Sequence, residues 1–287
     1  MLKCGSLREY QTLKFVNKCF YVKFANISNL SFKMPRISAV IITYNEESFI
    51  DKCLASIDGI ADEIVVVDSF STDATEEICK KYNTRFVKRE FEGYRDQKNY
   101  ALTLATYGNI LSLDADEALS DGLRESILAV KENWKYDGYL FNRRNNYCGK
   151  WIQHSQWYPD RQLRLFYSNM GQFGKLNLHE KFIMSNGGTV GKLKGDLLHW
   201  PCISHQDHLD KMRKFSIIGA EEYHKSGRKA GLFTPYIHLI WGFIRSYIIN
   251  RGFLDGRDGF VICSLYAKST FNKYEKLRQL NKNRVPR

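Results

Sequence analysis

Short apolar runs that alternate with helical patterns constrain the fold of this chain more than any other feature. The runs have strand length, are rich in β-branched residues and lie at Ile37–Thr43, Ile64–Val67, Thr84–Val87 and Asn109–Leu113. Between them, helical patterns cover residues 49–57, 73–82 and 94–105. Strands that are apolar throughout are buried on both faces, which is typical of a parallel sheet with right-handed crossovers. The first half is therefore predicted to be a doubly wound α/β unit.

The second half of the chain has a different residue composition. From about Gly138 it is rich in aromatic residues and arginine with glycines between them, which favours antiparallel strands and loops added to the sheet. A helix is expected from Leu209 to Tyr223. The segment Leu232–Arg251 is apolar and aromatic but carries His238 and Arg245, so it suits a membrane interface or a core better than a bilayer crossing.

Positive charge concentrates at both ends of the chain. The net charge is +12; residues 1–36 hold seven basic residues against Glu9, and residues 268–287 hold seven against Glu275. Basic ends of this kind bind polyanions such as anionic lipid or nucleic acid, or serve only as solubilising segments. Met34 directly precedes the first strand, so we expect that the functional protein could start there, with residues 1–33 an upstream extension.

Neither export nor a membrane span is expected. The chain has no uncharged apolar stretch of about 18 residues, and lysines interrupt the N-terminal segment where a secretory signal needs an unbroken apolar core. The seven cysteines are scattered without a C-x-x-C pair, which argues against a disulfide framework and a thiolate zinc site. We therefore predict a reducing, cytoplasmic compartment.

Polar and acidic clusters follow the predicted strands. The first strand ends in TYNEE (residues 43–47), the second in DSFSTD (68–73) and the fourth in DADE (114–117). Ligands of an open parallel sheet bind outside the carboxyl ends of its strands, so these clusters are predicted to share one site. None of these turns is a glycine-rich phosphate loop, so a divalent cation is the expected means of holding a nucleotide diphosphate.

Asp114 and Asp116 are the strongest local feature. Two carboxylates two residues apart at a strand end can converge on one Mg²⁺ or Mn²⁺, which would also bind the diphosphate and offset the charge on the leaving nucleotide. The same letters occur in helix caps and turns. The other two acidic strand ends favour the metal site.

Together, ISAVIITYNEE, IVVVDSFSTD and LSLDADE resemble the family 2 glycosyltransferases of the GT-A fold. RDQKNYAL before the last block, and WYPDRQLRLF, LHEK, HW and DGRDGF after it, extend the resemblance over residues 35–280. These blocks are similar to the bacterial subgroup that adds sugars to the lipopolysaccharide or lipooligosaccharide core. The resemblance implies an inverting, metal-assisted hexosyltransferase that uses a nucleotide-sugar, a UDP-hexose, as donor.

This resemblance organises the chain into four predicted regions. Residues 1–36 form the basic extension, residues 37–137 the nucleotide-sugar-binding α/β half and residues 138–231 the acceptor and catalytic half. Residues 232–287 form an amphipathic, basic region that associates with a membrane. The absence of a Gln-x-x-Arg-Trp block from the sequence disfavours a processive polysaccharide synthase.

The resemblance also assigns positions around the donor nucleotide and its phosphates, namely Thr43, Tyr44, Glu46, Asp68, Lys98, Asn99 and Asp114. A carboxylate at Asp68 can accept from the N–H of a uracil edge, and Tyr44 can stack on the base. Asp68 could instead be a turn residue that caps the next helix. Lys98, as a lone lysine on a helix, could instead be solvated surface.

Inverting transfer needs a carboxylate that takes the proton of the acceptor hydroxyl. Glu180 in LHEK matches the acidic position that the subgroup places after the Asp-x-Asp. Asp160 in YPDRQ is the alternative base, and a surface ion pair with Lys181 would be a non-catalytic role for Glu180. Enzymes of the GT-A fold often complete the metal shell with a C-terminal histidine, for which His199 is the candidate.

Two other functional classes compete with this interpretation. A nucleotidyltransferase of sugar metabolism would use a similar sheet and metal, but it normally has a basic, glycine-rich loop where this chain has TYNEE. A non-catalytic protein that binds anionic lipid or RNA would fit the net charge, but a neutral body and acidic strand ends disfavour nucleic acid. We therefore predict a cytoplasmic enzyme, peripheral on the inner face of the bacterial cytoplasmic membrane, that takes a lipid-linked glycan as acceptor and binds no nucleic acid.

Overall fold

The computed structural model describes residues 34–174, 181–185 and 187–282. Residues 36–287 form one compact unit, and the predicted N-terminal extension lies outside the described residues except for its last three. Within the described ranges, none of the helices combines the length and the apolar character that a bilayer crossing requires.

The first half alternates strands and helices as the sequence predicts. Its elements are β1 (Ile37–Thr43), α1 (Ile50–Ser56), β2 (Glu63–Asp68), α2 (Thr75–Lys80), β3 (Arg85–Lys88), α3 (Tyr94–Leu104) and β4 (Asn109–Asp114). The strands pair in parallel in the order β3-β2-β1-β4. The predicted doubly wound α/β unit is confirmed.

Helices cover both faces of this sheet because its side chains are apolar on both sides. On one face, Ile37, Ile41 and Val66 pack with α1 and with α4, which spans Asp121–Glu132. On the other, Val40 and Val65 pack with Ala101 of α3 and with Phe173 and Phe182 of a small hairpin. Burying both faces stabilises the sheet by about 25 cal/mol for each square ångström of apolar surface removed from water, and it holds the carboxyl ends of the strands rigidly.

The second half extends the same sheet with strands of mixed direction. Its strands are β5 (Glu117–Leu119), β6 (Gly138–Tyr147), β7 (Lys150–Trp151), β8 (Asp160–Tyr167), β9 (Gly171–Gly174), β10 (Lys181–Met184) and β11 (Val190–Cys202). The sheet continues as β4-β8-β6-β11-β5, with β8 antiparallel to both of its neighbours as predicted. Contrary to the expectation of antiparallel strands, β11 runs parallel to β6, because the long connection through β8 to β10 returns the chain to the same direction.

Helices close the structure at its C-terminal end. They are α5 (His205–Lys225), α6 (Thr234–Phe243), a π-helix (Ile244–Ile249), a 3₁₀ turn (Gly252–Asp255) and α7 (Gly256–Lys282). Helix α7 packs against both α5 and α6. Residues 268–282, which the charge pattern suggests as a basic tail, therefore belong to a long packed helix. Residues 283–287 lie outside the described residues.

Candidate active site

Three predicted site positions meet at the carboxyl edge of the parallel strands. The register of the sheet pairs Thr43 with Asp68 and Ile42 with Asp114. The polar ends of β1, β2 and β4 therefore lie side by side. This is the convergence that the sequence predicts, because parallel strands of similar length end at one edge of a sheet.

A cavity of about 830 Å³ opens at this edge. Its wall includes six of the predicted site residues: Thr43, Tyr44, Glu46, Asp114, Asp116 and His199. Helix α5 also lines the cavity, through Lys211, Met212 and Phe215 among others. A volume of this size is typical of sites for small molecules and cofactors. The cavity is therefore lined both by strand-end carboxylates and by side chains of α5, including Lys211.

The loop after β1 contains a residue in a left-handed backbone conformation. Asn45 has a φ of 54°, in the left-handed region that asparagine tolerates better than most residues. Its Oδ1 accepts from the backbone N–H of Thr72 at 2.8 Å, and its own N–H donates to Ser71 Oγ at 2.8 Å. These bonds tie the loops after β1 and β2 together and fix the backbone that carries Tyr44 and Glu46.

Asp68 is fully buried below this loop. Its Oδ2 accepts from the backbone N–H of Ser71 at 2.9 Å, and its Oδ1 accepts from the Ser71 hydroxyl at 2.5 Å. Both oxygens are thus engaged in the turn, which is the alternative role that the sequence left open. Contact of Asp68 with a nucleotide base stays a prediction.

Glu46 is a carboxyl group in an unusual environment. Burial, with the charge of Asp116 adding to it, raises the pKa of Glu46 to about 8. The Glu46 side chain is therefore largely protonated at neutral pH and can donate a hydrogen bond to a ligand. Nearby, the buried Thr43 hydroxyl has no hydrogen-bond partner among the described residues. Both polar groups can be satisfied by a ligand in the cavity.

Asp116 faces His199 across the cavity wall. His199 Nε2 lies 3.3 Å from Asp116 Oδ2, and His199 Nδ1 lies 2.5 Å from Asn145 Oδ1. The Asn145 amide has a fixed orientation, because its Nδ2 donates to the Trp157 carbonyl oxygen at 2.6 Å. Its Oδ1 can only accept, so His199 Nδ1 carries a proton. Nε2 is then the ring nitrogen that faces the Asp116 carboxylate, and a proton on Nε2 or a cation bound by both groups can join them.

Asp114 has a different environment from Asp116. Its Oδ1 lies 2.8 Å from Lys98 Nζ and its Oδ2 lies 2.7 Å from Arg164 Nη2, and both cationic side chains are almost fully buried. Burial would raise the pKa of Asp114, but Arg164 and Lys98 hold it well below its usual range. The Asp114 carboxylate is thus a stable anion that neutralises two buried cations.

The ion pairs of Asp114 continue into a buried network. Arg164 Nη2 also lies 2.6 Å from Glu117 Oε1, and Arg143 lies 3.1 Å from Glu117 and 2.6 Å from Asp160. Glu117 accepts from the backbone N–H of Asp114 at 3.0 Å as well. Lysine and arginine charges alternate with carboxylates throughout, so the network is neutral as a whole. We refer to Lys98, Asp114, Arg164, Glu117, Arg143 and Asp160 as the charge network.

Four predicted site residues do not line the cavity wall. Asp68 and Lys98 lie beneath it, and Asp160 binds Arg143 and accepts from Gln162 at 2.8 Å. Asn99 uses both ends of its side-chain amide on the backbone of Phe173, with distances of 2.9 Å. Glu180, the predicted base, lies outside the described residues. The catalytic and donor-binding roles of these residues stay predictions.

The residues present fit a divalent cation held by two protein ligands. A carboxylate oxygen of Asp116 and Nε2 of His199 are a suitable donor pair for Mn²⁺ or Mg²⁺. The hydrogen bond from His199 Nδ1 to Asn145 is the outer-shell contact that metal-bound histidines normally make. Among the described residues no group of three or more His, Cys, Asp or Glu side chains could hold a metal. Diphosphate oxygens and water would complete the coordination, as is usual for Mg²⁺ at phosphate sites.

Sequence reasoning missed several residues at this site. Asn145, which orients His199, stands in a strand whose residues showed no motif. Arg164 is the buried arginine of RQLRLF, a block in which the sequence indicated only the family resemblance. A buried arginine four residues after Asp160 in an apolar strand is itself a signal, because such a charge must have a carboxylate partner. Lys211 is one of three lysines on α5, and only the fold places it at the cavity.

Comparisons with known proteins identify the family of this chain. Residues 38–187 match the sequence profile of the family described as Glycosyl transferase family 2. The chain is 30% identical to the lipopolysaccharide core biosynthesis glycosyltransferase LpsC of Rhizobium meliloti over 84% of this chain and 94% of that protein. It is 29% identical to an uncharacterized glycosyltransferase of Rickettsia typhi over 86% and 88%. Among solved structures, the mannosyltransferase PcManGT of Pyrobaculum calidifontis, in complex with GDP-Man and Mn²⁺, superposes with a TM-score of 0.48 and 16% identity over 85% and 87%.

Proposed function

This chain belongs to glycosyl transferase family 2, and on that premise we propose that it transfers a hexose from a UDP-sugar, with inversion, to a glycan of the lipopolysaccharide core type. The glycosyltransferase activity itself follows from the family. Membership of the family favours this activity over the two competing classes, a nucleotidyltransferase and a non-catalytic binding protein. The donor, the acceptor, the metal and the location are our proposals.

The observation that carries the proposal is the pair Asp116 and His199 at the cavity wall. Asp116 and His199 would hold Mg²⁺ or Mn²⁺, which when bound supplies positive charge to the diphosphate of the departing UDP. Asn145 fixes the imidazole so that its Nε2 faces the cavity. Lys211, which also lines the cavity and pairs with Asp207 at 3.1 Å, is proposed to contribute positive charge near the diphosphate.

The remaining chemistry falls to residues that bind the base and move one proton. Tyr44 stacks on the uracil. Asp68 is proposed to accept from the uracil N–H, which requires it to give up one of its two hydrogen bonds with Ser71. Glu180 takes the proton of the acceptor hydroxyl as that oxygen forms its bond to the anomeric carbon and the bond to UDP breaks. Asp160 is the alternative base, although its ion pair with Arg143 competes with that role.

The proposed acceptor class is supported by a relative that is named for the pathway in which it acts. LpsC of Rhizobium meliloti is named as a lipopolysaccharide core enzyme and matches this chain over 94% of its length. A lipid-linked core glycan is assembled at a membrane, so the enzyme is proposed to work peripherally on the inner face of the cytoplasmic membrane. The anionic lipid of that face matches the positive net charge of +12.

The test is a donor screen with and without metal. UDP-glucose, UDP-galactose, UDP-N-acetylglucosamine and ADP-heptose are added in turn with Mn²⁺, and the midpoint of thermal unfolding is measured. A ligand at about 100 times its Kd stabilises a protein by about 2.7 kcal/mol, so the true donor should stand out. Release of UDP from that donor must depend on Mn²⁺ or Mg²⁺ and be lost in Asp116→Asn. Stabilisation by ADP-heptose alone would contradict the UDP-sugar proposal, and full activity in chelator would contradict the metal.

A further inference from the structure

The exposed apolar side chains of the protein are concentrated in one segment. Of the 24 large apolar side chains that are exposed in the described residues, 11 lie between Leu232 and Leu254. Phe233 is 70% exposed, Ile237 62% and Ile240 58%. We call the exposed apolar side chains from Leu232 to Leu254 the apolar face. Single exposed apolar residues are ordinary, but a contiguous group on this scale marks an interaction surface.

The apolar face lies on a helical segment that is anchored from behind. Helix α6 runs directly into the π-helix, which gives 16 helical residues from Thr234 to Ile249, about 24 Å at 1.5 Å per residue. The inner side packs on α7, where His238 stacks on Tyr274 at 3.9 Å between ring centroids. Tyr236, at the border of the apolar face, also contacts Phe271 at 5.2 Å between ring centroids. The segment is therefore fixed to the body while its outer side remains uncovered among the described residues.

The charges along the segment that carries the apolar face have one sign. No aspartate or glutamate occurs from Leu232 to Leu254, whereas Arg245 and Arg251 are exposed within this segment. Arg228 and Arg257 are exposed on either side of it. The first carboxylate after it, Asp255, is 6% exposed and is engaged by His154 and by the backbone of residues 153 and 154. The apolar face is thus bordered by cations that have no acidic neighbour along the segment.

We infer that the apolar face inserts into the headgroup region of a membrane that contains anionic lipid, with the arginines bound to lipid phosphates. A helix with a wide apolar side, aromatic residues and arginines at the border of that side is typical of a segment that lies in the plane of the membrane–water interface. Trp241, 53% exposed, and Tyr236, 54% exposed, belong to the residue types that settle at headgroup depth. The inference deepens the proposed function and rests on it, because it identifies the surface that would bring the enzyme to a lipid-linked acceptor.

A second copy of this chain is a less suitable occupant. In a two-fold dimer the same patch meets itself. Arg245 and Arg251 of both copies would then be enclosed together, with no carboxylate in the segment to neutralise them. Lipid phosphates supply the missing negative charge, and acyl chains cover the isoleucines.

Vesicle flotation of the full-length protein tests the inference with matched variants. Ile237→Glu/Ile240→Glu adds two negative charges to the apolar face. Leu128→Glu/Ile183→Glu adds the same charge at residues that are 43% and 47% exposed outside that segment. Vesicles are made of phosphatidylcholine with or without phosphatidylglycerol. We expect wild type and the control to float with the anionic vesicles and the face variant to partition at least tenfold less.

Fluorescence then reports whether the face enters the lipid. Brominated acyl chains should quench wild type more than Trp241→Phe, because Trp241 would sit at the lipid boundary. Equal flotation of the face variant and the control, or no quenching specific to Trp241, overturns the inference. A dimer in light scattering that the face variant alone dissociates, without flotation of the wild type, would assign the face to a second copy instead.

The same variants separate this inference from the proposed function. Asp116→Asn should float like wild type, since the metal site is not part of the apolar face. The face variant should retain UDP release from a donor in solution. Loss of donor chemistry with normal flotation would refute the proposed function alone, and normal donor chemistry without flotation would refute the membrane inference alone.

Discussion

Removal of the carboxylate should have opposite consequences at the two aspartates of the Asp-x-Asp. Asp114 neutralises two buried cations, at 2.8 Å from Lys98 and 2.7 Å from Arg164. Asp114→Asn keeps the size of the side chain but leaves the charge network with one carboxylate too few. Asp116→Asn removes the carboxylate that faces His199. The side chain of Asp116 is 23% exposed. We therefore expect the first substitution to damage the fold and the second to damage the activity.

The expected magnitudes follow from the partners, because both aspartate side chains are 23% exposed. The cations that Asp114 neutralises, Lys98 and Arg164, are only 3% and 4% exposed. Breaking a buried ion pair by removing one partner costs about 3–5 kcal/mol, which for a domain of this size lowers Tm by roughly 6–20 °C. Asp116→Asn leaves no buried lysine or arginine without its carboxylate and removes one contact with the His199 ring, which is worth about 1 kcal/mol. Its sugar transfer should nevertheless fall at least about 100-fold, because several kcal/mol of charge stabilisation on the leaving group would be lost with the metal.

Stability and turnover must be measured on the same preparations. Differential scanning fluorimetry at pH 7 gives Tm, urea unfolding gives the free energy of unfolding, and UDP release at saturating donor and Mn²⁺ gives turnover. The folded-state pKa of Asp114 is depressed, so its contribution to stability is present above the unfolded pKa of about 3.9. That contribution is lost as the pH falls through the folded pKa. The gap between wild type and Asp114→Asn should therefore persist from pH 7 to about pH 4 and shrink below it.

Two results would refute this reasoning. If Asp114→Asn unfolds within about 1 kcal/mol of wild type yet loses turnover, then Asp114 acts on the ligand and its ion pairs are not structural. If Asp116→Asn retains turnover at limiting Mn²⁺, the pair Asp116 and His199 does not form the metal site. Arg164→Met is a useful companion to Asp114→Asn, because the double variant removes a buried charge of each sign and should recover part of the lost stability.

Three further predictions concern the base, the outer shell of the metal and one buried histidine. Glu180→Gln should lower kcat by about 10² to 10⁴ without weakening donor binding, and the same result in Asp160→Asn instead would exchange the two roles. Asn145→Ala frees the imidazole of His199, so Mn²⁺ affinity measured by titration should fall about 10- to 100-fold at unchanged donor affinity in excess metal. Burial, with His205 adding to it, lowers the pKa of His208 to about 4, so the fold favours the neutral ring and loses stability as the pH falls from about 6.5 toward 4. His208→Phe, compared with wild type by urea unfolding, should therefore gain about 2 kcal/mol at pH 5 relative to pH 8; no pH dependence of that difference would contradict it.

The sequence predicts the parallel half of the fold well because its signals are local. Runs such as Ile37–Thr43 are strands whatever surrounds them, and the structure has this strand with the same bounds. The parallel pairing of β6 with β11 is not local. It joins Gly138 to Val190, which are separated by the small β9–β10 hairpin and by β8. No residue pattern within either strand specifies that direction, since both have mixed polar and apolar residues.

The candidate site likewise has a part that local sequence signals predict and a part that they do not. Sequence reasoning brings Thr43, Tyr44, Glu46, Asp116 and His199 to one place, and the structure has them at one cavity. It treats Asp114 and Asp116 as equivalent, although the structure does not. Their difference depends on Lys98 and Arg164, which come from a helix and from a strand 16 and 50 residues away in the chain. A spacing of two residues cannot encode which carboxylate faces buried cations.

The charge network explains why one carboxylate of the pair is free for a ligand. Asp114 and Glu117 bracket Asp116 in sequence, and both are held by Arg164, at 2.7 and 2.6 Å. The backbone N–H of Asp114 is also held, by Glu117. The loop that carries Asp116 is thus clamped on both sides by one guanidinium, and the backbone N–H of Trp200 donates to the Asp116 carbonyl at 3.1 Å. A metal-binding carboxylate needs such rigid support, because ligand geometry that must form anew at each turnover weakens both binding and catalysis. The buried ion pairs, which contribute little net stability as a set, therefore have a clear purpose in fixing the position of Asp116.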